Sequence, residues 1–356
     1  MDILLKYDIS ENGFLSKDPI PILDSLPDWE MIVKELPNYN KERILRDAVA
    51  NLSEFDVNLL TTSSHYKRAY VVLCLLTHSY VFGGEPIKSI PRKLAIPLVH
   101  VASYLGINPV LTHAAVDLYN WTLIDPNAPI TLDNLQSTSL MTGTEDEERF
   151  YLTMVAIEAV GGDMIKDILS INETNALSCL TNLNDNLIKV IIILRRIREK
   201  CKPAVFYHVL RPYLAGWEPK GMIYEGISDE PIVYRGGSAA QSSLFQVLDI
   251  VFGIEHKDSY FELIRAYMPE SHRNFINYVQ NNISIKNINM DNEAKLVFNK
   301  CINNLALFRS CHMSIVTDYI LNQASPTNEA VKGTGGTSLL TFLGEAIKET
   351  KMSCSQ

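Results

Sequence analysis

A histidine and an arginine less than one helical turn apart carry the clearest chemistry in this chain, within Arg309-Ser310-Cys311-His312. No Gly or Pro interrupts 292–321, and Leu305, Phe308, His312, Ile315 and Tyr319 recur at spacings of three and four. That periodicity places them on one side of an α-helix. The side is apolar apart from the imidazole. An imidazole facing an apolar slot beside a cation suits a haem iron, whose propionates need a positive partner. The alternative is a core histidine bonded to a backbone carbonyl, as lone histidines on apolar faces usually are. The helix by itself leaves both readings open.

Three other stretches carry chemistry. Arg211 lies among Val209, Leu210, Tyr213 and Leu214, with Phe206 a turn earlier. A buried guanidinium needs an anion, either an internal carboxylate or a substrate carboxylate held bidentately. The small residues of 236–243 (Gly236-Gly237-Ser238-Ala239-Ala240-Gln241-Ser242-Ser243) let a flat group approach the backbone, or else simply link into a helix over 244–252. Gly333-Thr334-Gly335-Gly336-Thr337 lacks the lysine and the leading strand of a phosphate loop. It suits a loop that closes over a ligand, or an ordinary helix-start turn. Glu-x-x-His spacing for a di-iron site is absent, as is a nucleophile elbow.

The elements available to position these residues are helices. Apolar residues at helical spacing mark 41–52, 64–80, 91–104, 108–121, 145–160 and 184–200, and no convincing strand alternation occurs. The chain is expected to be all-α, with a boundary in the polar stretch 133–148, whose acidic run Glu145-Asp146-Glu147-Glu148 caps the following helix. The 356 residues suffice for one large or two ordinary domains, and 47% apolar content is ordinary for a globular protein. A net charge of −9 without a basic stripe argues against nucleic acid. The densest positive patch, Arg195-Arg196-Ile197-Arg198-Glu199-Lys200, reads as the solvated C-terminal end of a helix. No uninterrupted apolar run reaches the roughly 18 residues of a membrane span. Six cysteines without a CxxC pair fit reduced thiols, and no basic region precedes an apolar stretch at the N-terminus. The expectation is a cytoplasmic monomer without membrane or nucleic-acid partners.

Taken in order, several segments resemble the indoleamine 2,3-dioxygenase family. They are Arg211-Pro212-Tyr213-Leu214-Ala215-Gly216-Trp217, the stretch 236–249 opening with Gly236-Gly237-Ser238-Ala239, and Tyr267-Met268-Pro269-Glu270-Ser271-His272-Arg273-Asn274-Phe275. Leu307-Phe308-Arg309-Ser310-Cys311-His312 and Lys332-Gly333-Thr334-Gly335-Gly336-Thr337 complete the set, and weaker similarity runs through 29–37 and Asn120-Trp121. The resemblance covers nearly the whole chain. It implies a small helical cap domain (1–135) over a larger helical haem-binding catalytic domain (136–356). It also implies haem b (iron-protoporphyrin IX), ferrous when active, and O2 as the means of opening the indole ring of L-tryptophan to give N-formyl-kynurenine, the first step of the kynurenine pathway. A reductant, not identifiable from sequence, keeps the iron ferrous.

Residue by residue, the resemblance implies that His312 is the proximal iron ligand and that Arg309 neutralises a propionate. It makes Arg211 the partner of the substrate carboxylate. Phe150 and Phe206 become the aromatics on the indole, Ser238 and Ala239 the small-residue wall, and Gly237 a residue against the haem. Thr334 belongs to the mobile loop, and Asp249 is an acidic residue of the haem region. The chain departs from the family pattern in three places. Met154 stands where well-studied members have a distal serine. His113 replaces a pocket tyrosine, and Asp117 follows it in place of an apolar residue. That pair is expected to be a bond at the surface of the cap, with a place in the indole pocket as the alternative. Lastly, the segment between His312 and Thr334 is shorter than in those members. The expected function is a tryptophan or indoleamine dioxygenase. The alternative is a haem-binding member with little tryptophan turnover, acting as a gas or redox sensor or on another indole.

Overall fold

The computed structural model describes residues 3–324, 333–336 and 338–354. Helices dominate, as expected. Four of them wall the functional region in the second half of the chain. Glu145–Ser170 and Asn292–Tyr319 both pack on Ala176–Arg195, and Leu339–Met352 packs against Asn292–Tyr319. Their starts follow ordinary capping chemistry. The Asp291 carboxylate accepts from the Ala294 N–H, and the Thr144 hydroxyl accepts from the Glu147 N–H at 3.1 Å. The acidic run does more than complement the helix dipole. The Glu147 carboxylate is buried and accepts from the N–H groups of Met141, Thr142 and Gly143, fixing the entry of the chain.

The first half is built around Ser63–Phe82, which is buried on nearly all sides. Arg92–Leu105 packs along it. One contiguous apolar cluster runs from Tyr7 to Leu343 through both halves of the chain.

The helices depart from expectation where side chains capture backbone groups. The stretch 108–121 is not one helix. Tyr70 Oη donates to the carbonyls of Asn108 (3.0 Å) and Val110 (2.7 Å), and His78 accepts the Leu111 N–H, so only a π-turn, Ala114–Leu118, forms there. The helix expected over 41–52 breaks at Arg43, whose φ of 59° is left-handed, leaving Leu36–Glu42 and Leu45–Asn51. The helix starting at Glu145 continues past 160 to Ser170.

Four short strands also occur among the described residues, where none was expected. Ser89–Ile90 pairs in parallel with Ile223–Tyr224, and Trp121–Leu123 pairs antiparallel with Leu135–Ser137. The basic patch at 195–200 is at the surface, but it is paired: Arg196 with Asp133 (2.7 Å), Arg198 with Asp318 (2.5 Å) and Lys200 with Glu145 (2.7 Å). Although no apolar run is uninterrupted, Ala176–Glu199 is long and apolar enough on average to cross a membrane. Its Leu180, Leu183, Leu187 and Leu194 are buried in the apolar core.

Candidate functional site

The sequence candidates converge. His113, Phe150, Met154, Phe206, Arg211, Gly237, Ser238, Ala239, Asp249, Arg309, His312 and Thr334 all line one cavity of about 230 Å³. One water needs roughly 10–15 Å³ on the same measure, so the space suits a large group.

Each wall is set by local geometry. The helix Asn292–Tyr319 presents Phe308, His312, Ile315 and Tyr319 from one stripe. The helix Glu145–Ser170 presents Phe150, Thr153 and Met154. Phe206 and Arg211 come from a π-turn, Phe206–Leu210, closed by the Arg211 N–H on the Phe206 carbonyl. In a turn closed from i to i+5, residues five apart lie near one face, which an α-helix would not allow. The aromatic rings form a chain, with centroids 4.8 Å apart for Phe150 and Phe206 and 5.8 Å for Phe206 and Tyr319.

The small-residue wall depends on two glycines. A Cβ on Gly236 would lie 2.1 Å from the Leu214 carbonyl oxygen, and one on Gly216 would lie 2.4 Å from the Gly236 nitrogen. The backbones of 214–216 and 234–237 thus cross at a distance that only glycine permits. The described part of the C-terminal loop docks on the same segment. Gly236 N–H donates to the Thr334 carbonyl at 3.1 Å, the Thr334 hydroxyl donates to the Gly237 carbonyl, and Arg235 donates to the Gly335 carbonyl at 2.6 Å. Lys332 and Thr337, which belong to the same motif, lie outside the described residues.

His312 is ringed by protein, yet part of its surface faces the empty space of the cavity. Burial pushes its pKa down to about 4, so the imidazole is neutral at physiological pH. Among the described residues no hydrogen-bond partner holds its ring nitrogens. A neutral imidazole with an open lone pair, facing a large apolar cavity, has the chemistry of an iron ligand. Arg309 is ion-paired with Asp249 and donates to the Thr350 hydroxyl. His256 bridges Asp249 (3.0 Å) and Glu349 (2.8 Å) beside it. Burial opposes the Asp249 charge, but Arg309 and His256 hold its carboxyl below the usual range. An acidic group reaching Arg309 would therefore meet a cation already shared with Asp249. Burial also pushes the Arg211 guanidinium down, and its face lies 5.3 Å above the Tyr207 ring.

His113 and Asp117 are not a surface pair. Both are buried on the cavity wall, with Nδ1 2.6 Å from Asp117 Oδ2 and Nε2 3.0 Å from Glu158 Oε1. The π-turn tucks them inward, and Gln241 accepts the His113 N–H at 2.8 Å. Burial works against the imidazolium, but Asp117 and Glu158 overcome it and raise the pKa to about 10. Sequence reading missed Glu158. Its place four residues after Met154, on the same helix face, was the available signal. Met154 does stand on the wall, and the neighbouring Thr153 hydroxyl donates to the Arg149 carbonyl, so it supplies no free hydroxyl in place of the serine.

The family model for indoleamine 2,3-dioxygenase matches residues 3–353. The chain belongs to the indoleamine 2,3-dioxygenase family. It is 32% identical to indoleamine 2,3-dioxygenase 1 of Rattus norvegicus, over 98% of this chain and 94% of the relative. To an indoleamine 2,3-dioxygenase of Penicillium citrinum it is 34% identical, covering 99% and 89%. To a 6-hydroxytryptophan 2,3-dioxygenase of Fusarium equiseti it is 30% identical, covering 88% of each chain. Membership makes the protein a dioxygenase, an oxidoreductase acting on tryptophan or an indoleamine. The cavity residues fit the haem on which this family depends: one neutral imidazole, an apolar aromatic wall, a glycine-bearing segment and a buried cation, Arg309.

Proposed function

We propose that the protein inserts both atoms of O2 across the indole C2–C3 bond of L-tryptophan or a related indoleamine, giving N-formyl-kynurenine or its counterpart. The observation that carries this reading is the convergence of His312, Arg211 and the Phe150–Phe206 pair on one cavity. His312 would hold the iron of haem b on one face, and Arg309, shared with Asp249, would meet a propionate. The haem, when bound, would supply oxygen activation, while the four electrons that reduce O2 come from the substrate, whose C2–C3 bond is replaced by two C=O groups.

The protein's own contribution is positioning. Arg211 fixes the substrate carboxylate, Phe150 and Phe206 hold the indole plane, and Thr334 closes the polar end above Gly237. His113 is held protonated at neutral pH by Asp117 and Glu158, so it does not act as a base. The reading requires no general base, since cofactor and orientation carry the reaction. Residues 1–135 serve as the cap, and residues 136–356 as the haem domain. The Fusarium relative is named for 6-hydroxytryptophan, so a substituted tryptophan falls within the same reading.

A second reading, a haem protein with little tryptophan turnover, draws on Met154 and the charged His113 cluster. The deciding experiment incubates reduced, haem-loaded protein with L-tryptophan and O2 and follows formyl-kynurenine absorbance. Product formation is expected. A Soret band without product from any indole would favour the sensor. No Soret band after reconstitution would overturn both haem readings.

A further inference from the structure

We propose that His256 is a positioning residue for the haem: its imidazolium takes a share of the Asp249 carboxylate, so that Arg309 keeps positive charge for a propionate. This rests on the haem reading of the cavity. The local chain sets the contact up. After the helix Ser243–Val251, Gly253 takes a left-handed φ of 62°, and the Ile254 N–H closes on the Asp249 carbonyl at 2.8 Å. That reversal brings His256 back against the Asp249 side chain. The helix Leu339–Met352 supplies the other side, its Glu349 accepting from the Lys257 N–H at 3.2 Å.

The outcome is a line of alternating charge. Arg309 meets Asp249 Oδ1, Asp249 Oδ2 lies 3.0 Å from His256 Nε2, and His256 Nδ1 lies 2.8 Å from Glu349 Oε2. Each ring nitrogen of His256 faces a carboxylate oxygen, which can only accept, so both carry protons and the ring is a cation. Burial opposes that charge, but Asp249 and Glu349 raise the pKa above its ordinary value. Of the four groups, Arg309 and Asp249 line the cavity, while His256 and Glu349 stand behind them. Two cations face two carboxylates, so the line is balanced. Without the imidazolium, Asp249 and Glu349 would outnumber Arg309, and a propionate would arrive as a third carboxylate against one cation. A buried excess of that kind is costly. Hydrogen-bonding capacity is not what limits Arg309. It bonds to Asp249, the Thr350 hydroxyl and the Ala346 carbonyl, which leaves part of its five-donor fork to spare.

The test compares the unmodified haem-loaded protein with His256→Gln and Glu349→Gln, which remove a cation and an anion from the same line. Two quantities are read without turnover: the reduction potential, by spectroelectrochemistry, and the rate of haem transfer to excess apomyoglobin. His256→Gln should lower the potential and speed haem loss roughly 3- to 10-fold, less than removal of a direct charge-assisted bond would. Glu349→Gln should act in the opposite sense, raising the potential and slowing the loss. Reconstituted with haem dimethyl ester, whose propionates carry no charge, all three proteins should lose the cofactor at the same rate. Should His256→Gln not fold, the sign of the Glu349→Gln shifts still decides. If both substitutions speed the loss of haem and of its ester alike, His256 is a structural brace and the inference is overturned. An unchanged potential and rate in His256→Gln overturn it too. No Soret band in the unmodified protein after reconstitution overturns the haem reading itself, and this inference with it.

Discussion

At the scale of single residues, His312 and Arg211 divide the work between cofactor and substrate. His312 lies in a helix whose packing is carried by Phe298, Cys301, Ile302 and Leu305, all buried. Removing the imidazole therefore should not unfold it. His312→Ala is expected to abolish the Soret band on haem titration while the far-ultraviolet circular dichroism stays unchanged; a variant that keeps the band would remove His312 as the iron ligand. For Arg211, loss of a charge-assisted bond to carboxylate should raise the KM for tryptophan by roughly 10- to 100-fold in Arg211→Ala. Tryptamine, which lacks the carboxylate, should respond little to the same substitution, and equal losses on both substrates would mean that Arg211 acts through packing. Both residues were legible in the sequence because each announces itself locally, as a polar group on an apolar stripe. The surroundings of His113 were not. Its partners Glu158 and Gln241 lie 45 and 128 positions away, and local spacing could show only the bond to Asp117.

At the scale of elements, the site depends on turns more than on the long helices. The long helices were legible because apolar periodicity and caps such as Asp291 and Thr144 are local signals. The π-turns 114–118 and 206–210 were not, since they are selected by hydrogen bonds from distant side chains and backbone. The stretch 108–121 has helical periodicity, yet Tyr70 and His78 claim its backbone groups. The glycines of 216 and 236 could be noticed as motif letters, but their reason is a crossing of two segments that sequence does not pair. Gly236→Ala tests that reason. The new methyl would meet the Leu214 carbonyl at 2.1 Å, with backbone on all sides and no flexible side chain to yield. We expect a loss of about 2 kcal/mol or more in urea unfolding, in the range of overpacked sites, together with weaker tryptophan binding as the wall shifts. Stability within 0.5 kcal/mol of the unmodified protein, roughly the scatter of neutral surface changes, would show that the crossing is not tight.

At the scale of the whole molecule, buried histidines tie the two halves together and set how stability varies with pH. His78, in the central helix of the first half, donates from Nδ1 to the Tyr213 carbonyl at 2.8 Å and accepts the Leu111 N–H on Nε2 at 2.9 Å. It thus joins the turn bearing Arg211 to the segment bearing His113, and it can do so only when neutral. Burial pushes its pKa down to about 4, and that of His272 to about 3. An unfolded histidine titrates near 6.5. As pH falls below about 6.5, the unfolded chain takes up protons that the folded protein refuses, so stability drops until about pH 4 for His78 and about 3 for His272. His113 has the opposite sign. Burial opposes its charge, but Asp117 and Glu158 lift its pKa to about 10. Its contribution is complete below about 6.5 and is lost as pH rises through about 10. The two effects together predict a stability maximum near pH 6.5, with an acid limb and an alkaline limb of separate origin. Urea midpoints measured from pH 4.5 to 9.5 should trace this curve. His78→Gln, whose amide can still donate and accept, should shallow the acid limb by about one proton, on the order of 1.4 kcal/mol per pH unit. Replacing His113 should flatten only the alkaline limb. A midpoint that does not fall between pH 6.5 and 5 would mean that His78 accepts a proton where it stands, and that the bond between the two cavity walls does not depend on its neutral ring.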